Sequence, residues 1–486
     1  MNFVIFMPDE MRAECAGSYG HPVVRTPNLD RLAAEGTRFD AAYIQHPVCS
    51  PSRCSMFTGW YPHVAGHRTL WHLLRPHEPN LFKYLKQAGY DVRWYGKNDL
   101  LATASFPDSV TEALPPEGYR NVGDRITGDP DDPHYDSFLA QPFPKGPWDT
   151  ADACCVRRGI DFLRGRHDRP FMLYLPLTLP HPWYSAPEPW HSMYKPEDVP
   201  APRPPELAGK PMFHELIRTT RNLGRLDERE FRRIAAVYLG TITYVDHLFG
   251  ELLKTLDETG LAEDTCVIHC SDHGDWAGEF GLVEKWPSAL DDTIARVPFV
   301  IRAPDGEAGH VVDTPVELFD IMATVLELAA VECRHTHFAR SLVPQINGTP
   351  GDAGRAAYAE GGYDGHEPHC FEGRDAGDHA GRTADNIYYQ KGHLQQTDPA
   401  GVCRTVMVRT DTHKLIYRTA DLCELYDMRI DPRELNNLHG RREAARVQRE
   451  LEQRLLHFLA STSDVTPFDE DPRGLPKGGY VDSAGA

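Results

Sequence analysis

No apolar stretch in the 486 residues reaches the roughly 18 needed to cross a bilayer as a helix. The first apolar run, Asn2 to Met7, is far too short for a signal-peptide core, so a cytoplasmic protein with no membrane span is expected. Positive charge is also in short supply: 51 Lys and Arg stand against 71 Asp and Glu, a formal charge of −20. Such a balance repels polyanions and argues against a nucleic-acid binder or a protein drawn to anionic lipid. Cysteine pairing lacks a framework. The eleven cysteines are an odd, scattered set with no Cys-x-x-Cys pair, which disfavours both a disulfide scaffold and a structural zinc site. What is present is ordinary: 41% hydrophobic and 10% aromatic residues, enough for a large core.

Asn2-Phe3-Val4-Ile5-Phe6-Met7 reads as a parallel strand buried on both faces. Thr26-Pro27-Asn28-Leu29-Asp30-Arg31-Leu32 supplies an N-cap, an N1 proline and leucines at i and i+3, and Gly36 a stop, which predicts a short amphipathic helix. Helices over about 80–89, 149–164 and 227–256 precede expected strands at Asp91 to Tyr95, Phe171 to Leu177 and Thr265 to His269, with another strand at Val297 to Arg302. Strands alternating with helices imply an α/β protein with a central, mostly parallel sheet. Residues 106–148 and 180–211 are too long for simple connectors and read as pocket walls. Three regions follow: a catalytic α/β domain at 1–347, a linker with ordered loops at 348–403, and a smaller α+β domain with an antiparallel sheet and a tail at 404–486.

Open α/β sheets place ligands beyond the carboxyl ends of their strands. Asp9, Lys97, His181 and the pair Asp272-His273 each follow an expected strand. Taken singly, each reads as a helix cap or a solvated charge. Together, Asp9, Asp272 and His273 offer oxygen and nitrogen to a divalent cation, with Lys97 and His181 set to meet an anion bound to it.

The most specific segment is Cys49-Ser50-Pro51-Ser52-Arg53, continued by Thr58-Gly59-Trp60-Tyr61-Pro62. It resembles the signature of the type I sulfatases, in which the cysteine of a Cys-x-Pro-x-Arg core is converted to formylglycine. Gly96-Lys97, Pro180-His181-Pro182, Ser271-Asp272-His273-Gly274, Lys285 and Arg296-Val297-Pro298 follow in the family's order, and Leu425-Tyr426-Asp427 with Asp431-Pro432-Arg433-Glu434 resembles its C-terminal motif. The resemblance implies an alkaline-phosphatase-like sandwich and hydrolysis of a sulfate monoester to an alcohol and inorganic sulfate, through a covalent sulfo-enzyme on modified Cys49. It further implies one divalent ion, most commonly calcium, with manganese or magnesium as alternatives, on Asp9, Glu10, Asp272, His273 and residue 49. Arg53, Lys97 and Lys285 would balance sulfuryl charge, and His181 or Lys285 would serve the leaving oxygen. A formylglycine-generating enzyme is the implied partner, the substrate a small or sugar sulfate ester, and a homo-oligomer is compatible with the sequence.

Two departures stand out. His273 occupies a position where many members have asparagine, as in the branch with phosphonate monoester hydrolases and choline sulfatases, which keeps a phosphonate monoester or phosphodiester substrate as the alternative. Asn98-Asp99 replaces a histidine common two residues after the lysine, so Asp99 is read as its stand-in or as a loop carboxylate. That departure also motivates a third reading, a silent binder of sulfated ligands. His63 with His67, and His269 with His273, have the separation of a helical zinc motif but lack its glutamate. His72 and His77, the aromatics Trp183, Tyr184 and Trp190, and His366, His369 and His379 are further candidates to border a pocket, and Cys54 is expected to be a packed small residue.

Overall fold

The chain is described by a computed structural model covering residues 1–70, 72–115, 121–363 and 397–463. The strands of the large unit are β1 (Asn2–Asp9), β2 (Thr37–Phe39), β3 (Ala42–Tyr43), β4 (Asp91–Tyr95), β5 (Glu112–Leu114), β6 (Phe171–Pro180), β7 (Thr265–Cys270), β8 (Phe299–Arg302), β9 (His310–Val312) and β10 (Val316–Glu317). Eight of them form one sheet in the order β5-β4-β6-β1-β7-β8-β2-β9, and β10 pairs with β3. From β5 to β7 every neighbour is parallel, whereas β8 runs antiparallel to both β7 and β2. The expected strand at Val297 to Arg302 begins only after Pro298, which has no N–H to give a ladder.

The apolar run of β1 is explained by its central place. Val4 and Phe6 enter one buried cluster, while Phe3, Ile5 and Met7 enter another on the opposite face. The first cluster is closed by the 32-residue helix Glu228–Thr259, capped by Asp227, whose side chain accepts from Glu230 N, and ended by Gly260. Asp246 of that helix in turn accepts from the N–H groups of Asn28 and Leu29 at 3.1 and 2.8 Å, capping the helix Pro27–Glu35. Thr26 occupies the expected N-cap position, but its hydroxyl serves Gly17 N and Asp30 instead.

The second unit is a four-stranded antiparallel sheet of β11 (Ala357–Gly361), β12 (Thr405–Arg409), β13 (His413–Arg418) and β14 (Glu424–Asp427), with the helix Ala445–Thr462 against it. β11 falls inside the stretch read as a linker. Its Ala-Tyr-Ala-Glu-Gly sequence has one good strand former, which is why pattern alone passed it over. Glu360 N and Gly362 N on this segment donate to Gln45 O and Pro287 O of the large unit. Among the described residues no helix is long and apolar enough to cross a membrane.

Candidate active site

The parallel run β4-β6-β1-β7 brings four strand ends side by side, and the register sets Asp9 opposite Pro180. Asp9 ends β1, His181 follows β6, Lys97 lies two residues beyond β4, and Asp272-His273 lie just past β7. Lys97 is placed by Gly96, whose φ of 142° lies in a region side chains avoid; a Cβ there would meet Pro176 O at 2.1 Å. That close approach lets Lys97 N donate to Pro176 O at 2.8 Å.

Into this edge points the N-terminus of the helix Cys49–Thr58, every residue of which is buried. Cys49 sits in its first turn, where unpaired N–H groups favour negative charge. Arg53, one turn later on the same face, is fully buried between two carboxylates. Its Nη2 donates to Asp9 at 2.9 Å and its Nε to Asp272 at 2.8 Å. Ser52 Oγ donates to Asp272 O at 2.6 Å. Around Cys49 Sγ stand His273 Nε2 at 3.1 Å, Asp9 Oδ1 at 3.6 Å and Lys97 Nζ at 3.6 Å. Lys97 Nζ also reaches Asp9 at 2.6 Å and Asp99 at 2.8 Å.

On the other flank, Lys285 Nζ is paired with Glu10 and lies 3.2 Å from His181 Nε2, which is also 3.2 Å from Glu10 Oε1. His181 Nδ1 is 2.6 Å from Pro182 O, so that nitrogen carries the hydrogen and Nε2 the lone pair. His273 has the same polarity: Nδ1 donates to Gly274 O at 2.9 Å, leaving an Nε2 lone pair on Cys49.

Electrostatics follow from burial set against pairing. Burial works against the charge on Asp9, yet Lys97 and Arg53 overcome it and hold the carboxyl well below the usual range. Burial also opposes charge on Asp99, and Lys97 and Arg53 again win and lower it. Burial, then the negative charge of Asp9, pushes the Cys49 thiol well up. His181 is driven well down by burial and by Lys285 and Lys97, and His273 is lowered chiefly by burial, so both imidazoles are neutral at pH 7. Glu10 behaves oppositely to Asp9: burial carries its carboxyl well up despite Lys285, with Asp275 adding to the rise.

One ligand atom each from Asp9, Glu10, Cys49 and His273 lies within 4.8 Å of the others, and Glu10 Oε2 is a buried oxygen with no hydrogen-bond partner. An orphaned oxygen beside another carboxylate and an imidazole lone pair fits a divalent cation. Asp272 stands outside this tight set: its oxygens are taken by Arg53 Nε and by the N–H groups of Glu10 and His273.

The ten residues read from the sequence as catalytic or metal-binding therefore meet at one edge of the sheet. Their neighbours gave no sequence signal of their own: Tyr238 from the long helix donates to Glu10 O and accepts from Arg12 N, and Asp275 accepts from Tyr184 Oη at 2.7 Å. Other candidates fall elsewhere. His63 pairs with Glu360, His67 with Glu78, His77 is exposed, and Trp190 packs on Tyr244 and His247. His269 is a core ring between Phe6 and Phe249, so neither histidine pair is a zinc motif. Cys54 is buried as expected, and His366, His369 and His379 lie outside the described residues.

Comparison with known proteins gives a consistent picture. Residues 1–331 match the family model described as Sulfatase, and residues 375–461 that of the N-sulphoglucosamine sulphohydrolase C-terminal region. The multifunctional alkaline phosphatase superfamily protein PehA of Trinickia caryophylli is 29% identical over 97% of this chain and 96% of its own. The N-acetylglucosamine-6-O-sulfatase of Bacteroides thetaiotaomicron is 26% identical over 98% of this chain and 89% of its own. Among solved structures, the phosphonate monoester hydrolase of Agrobacterium radiobacter superposes with a TM-score of 0.78 at 22% identity, covering 95% of this chain and 96% of that one. The fold is thus the alkaline-phosphatase-like sandwich with a smaller antiparallel unit that the resemblance implied.

Proposed function

Because the chain belongs to the sulfatase family, we propose that it hydrolyses a sulfate monoester of a small or sugar alcohol, with residue 49, matured from cysteine to formylglycine, as the group that accepts the sulfuryl. The observation that carries this reading is the convergence of Arg53, Asp9, Lys97 and His273 on Cys49 at the N-terminus of a buried helix. As its hydrate, formylglycine offers one hydroxyl to attack sulfur and a second whose deprotonation later expels sulfate.

Asp9, Glu10, residue 49 and His273 would hold one divalent cation, calcium, manganese or magnesium. When bound it would polarise the ester and ease ionisation of a hydroxyl on residue 49. The chain's own groups divide the remaining work. Arg53 fixes Asp9 and Asp272 in place, and Lys97 balances charge beside the nucleophile. Asp272, which stands outside the set that would hold the cation, is the base for the hydroxyl proton of residue 49. On the leaving side, Lys285 supplies the proton, because His181 Nε2 is an acceptor in this arrangement. Asp99 orients Lys97 and acts through it.

The reading is tested by comparing kcat/KM for nitrophenyl sulfate, a phenylphosphonate ester and bis(nitrophenyl) phosphate on one preparation co-expressed with the formylglycine-generating enzyme. Sulfate ester turnover is expected to dominate. A large excess of phosphonate or phosphodiester turnover would instead establish the second reading, which the imidazole of His273 beside residue 49 favours.

A further inference from the structure

Beyond His181, the chain leads to a cation that the proposed chemistry leaves unused. The guanidinium carbon of Arg125 lies 4.7 Å from the ring centroid of Trp183 and 4.7 Å from that of Tyr135. Stacking on rings holds a guanidinium while leaving its N–H fork unspent. Among the described residues no carboxylate or other acceptor engages that fork. Arg221, by contrast, lies over Phe138 and donates to Glu284 at 2.6 Å.

The position is built by the backbone around it. Arg125 bridges to Ala140, Leu139 to Tyr184 and Phe143 to Pro187, so this stretch runs beside the segment that follows His181. Ser185 Oγ ties the two together, donating to Gln141 O at 2.8 Å and accepting from Gly123 N at 3.1 Å. Trp183 leans on Phe138 at 5.5 Å and is two residues from His181, which places their Cα atoms within about 7 Å. His181 Nε2 is itself 3.2 Å from Lys285 Nζ, the proposed donor to the leaving oxygen. Trp183 and Arg125 therefore lie on the His181 side of the site, the side on which a sugar or aryl alcohol would leave.

We infer that Arg125, seated over Trp183 and Tyr135, binds a second oxyanion on the alcohol portion of the ester, so that the preferred substrate carries a carboxylate or a further sulfate besides the one cleaved. This rests on the ester-hydrolase reading above and names the substrate class of the same site. A guanidinium fork takes either oxyanion through two parallel hydrogen bonds.

The test compares kcat/KM for 4-carboxyphenyl sulfate and 1,4-phenylene disulfate, each against the neutral 4-carbamoylphenyl sulfate, in wild type, Arg125→Gln and Arg125→Lys. Wild type is expected to favour at least one anionic ester by about tenfold or more, the worth of one charge-assisted hydrogen bond. Which ester is favoured identifies the oxyanion. The ratio should fall to near one in Arg125→Gln and to an intermediate value in Arg125→Lys; because it is taken within each variant, a general loss of folded enzyme cancels. A wild-type ratio near one for both esters, or a ratio unchanged in Arg125→Gln, overturns the inference. Failure of the sulfatase reading looks different: no sulfate ester reacts while phenylphosphonate esters of the same three phenols do, and the ratio is then read on those. Should neither kind react, calorimetric binding of 4-carboxyphenyl sulfate against its amide reads the same ratio.

Discussion

Arg53 shows how one side chain binds a site together. It is wholly buried and salt-bridged to Asp9 and Asp272, so Arg53→Met leaves two carboxylates without their cation. A loss of about 3–5 kcal/mol in urea unfolding is expected, along with loss of turnover. Asp9, Lys97, His181, Asp272 and His273 could be read in the sequence because each carries a distinctive group just after a strand, and Cys49, Arg53 and Lys285 through the motifs that carry the family resemblance. Tyr238 and Asp275 could not, since a tyrosine inside a helix and an aspartate in a loop look the same whether or not they touch a site. His67 offers a pH test away from the centre. Nδ1 meets His72 O and Nε2 lies 3.1 Å from Glu78, so both nitrogens act as donors and the ring is charged. Burial opposes that charge, but Cys54 and Glu78 outweigh it and raise the group to about 10 from its ordinary 6.5. A raised imidazole stabilises below about pH 6.5 and loses that contribution as pH climbs through 10. Wild type should therefore lose roughly 1.5–3 kcal/mol more than Glu78→Gln between pH 7 and 10 by chemical denaturation.

Strands and helices were legible where their apolar spacing was strong. The long helix Glu228–Thr259 and β4 sit where the pattern put them, whereas β5 and β11 are short, carry little strand-forming sequence and exist through their partners. Caps show the same limit. Thr26 has the right chemistry, yet Asp246, distant in sequence, supplies the oxygens that the helix Pro27–Glu35 needs. Asp246→Ala is expected to cost about 1–3 kcal/mol by exposing buried N–H groups to no acceptor, with the N-terminal segment gaining amide exchange first. The turn after β4 makes a sharper prediction. In Gly96→Ala the new Cβ would collide with Pro176 O, so β4 and β6 must part and Lys97 must move. Activity should drop by about a hundredfold or more, in kcat rather than in the expressed amount of folded protein.

Across the molecule, charge is concentrated at a few buried junctions. Lys414 of the smaller unit is buried between Asp292 of the larger unit and Glu434, each at 2.8 Å, and Arg409 Nε donates to Tyr43 Oη. Such a junction couples the two units, and Lys414→Met should lower the melting temperature without splitting the transition, as read by calorimetry. The proposed cation predicts a second thermal effect. Calcium, manganese or magnesium added to chelator-treated protein should stabilise it by about 2.7 kcal/mol at a hundred times Kd, and Glu10→Gln should blunt that response. Cys49 is only 2% exposed and every residue of its helix is buried, so no other enzyme could grip that segment in the finished molecule. On the proposed reading, conversion of the thiol would belong to the window when the nascent chain is still open, and protein already closed over an untouched cysteine would stay inert until unfolded.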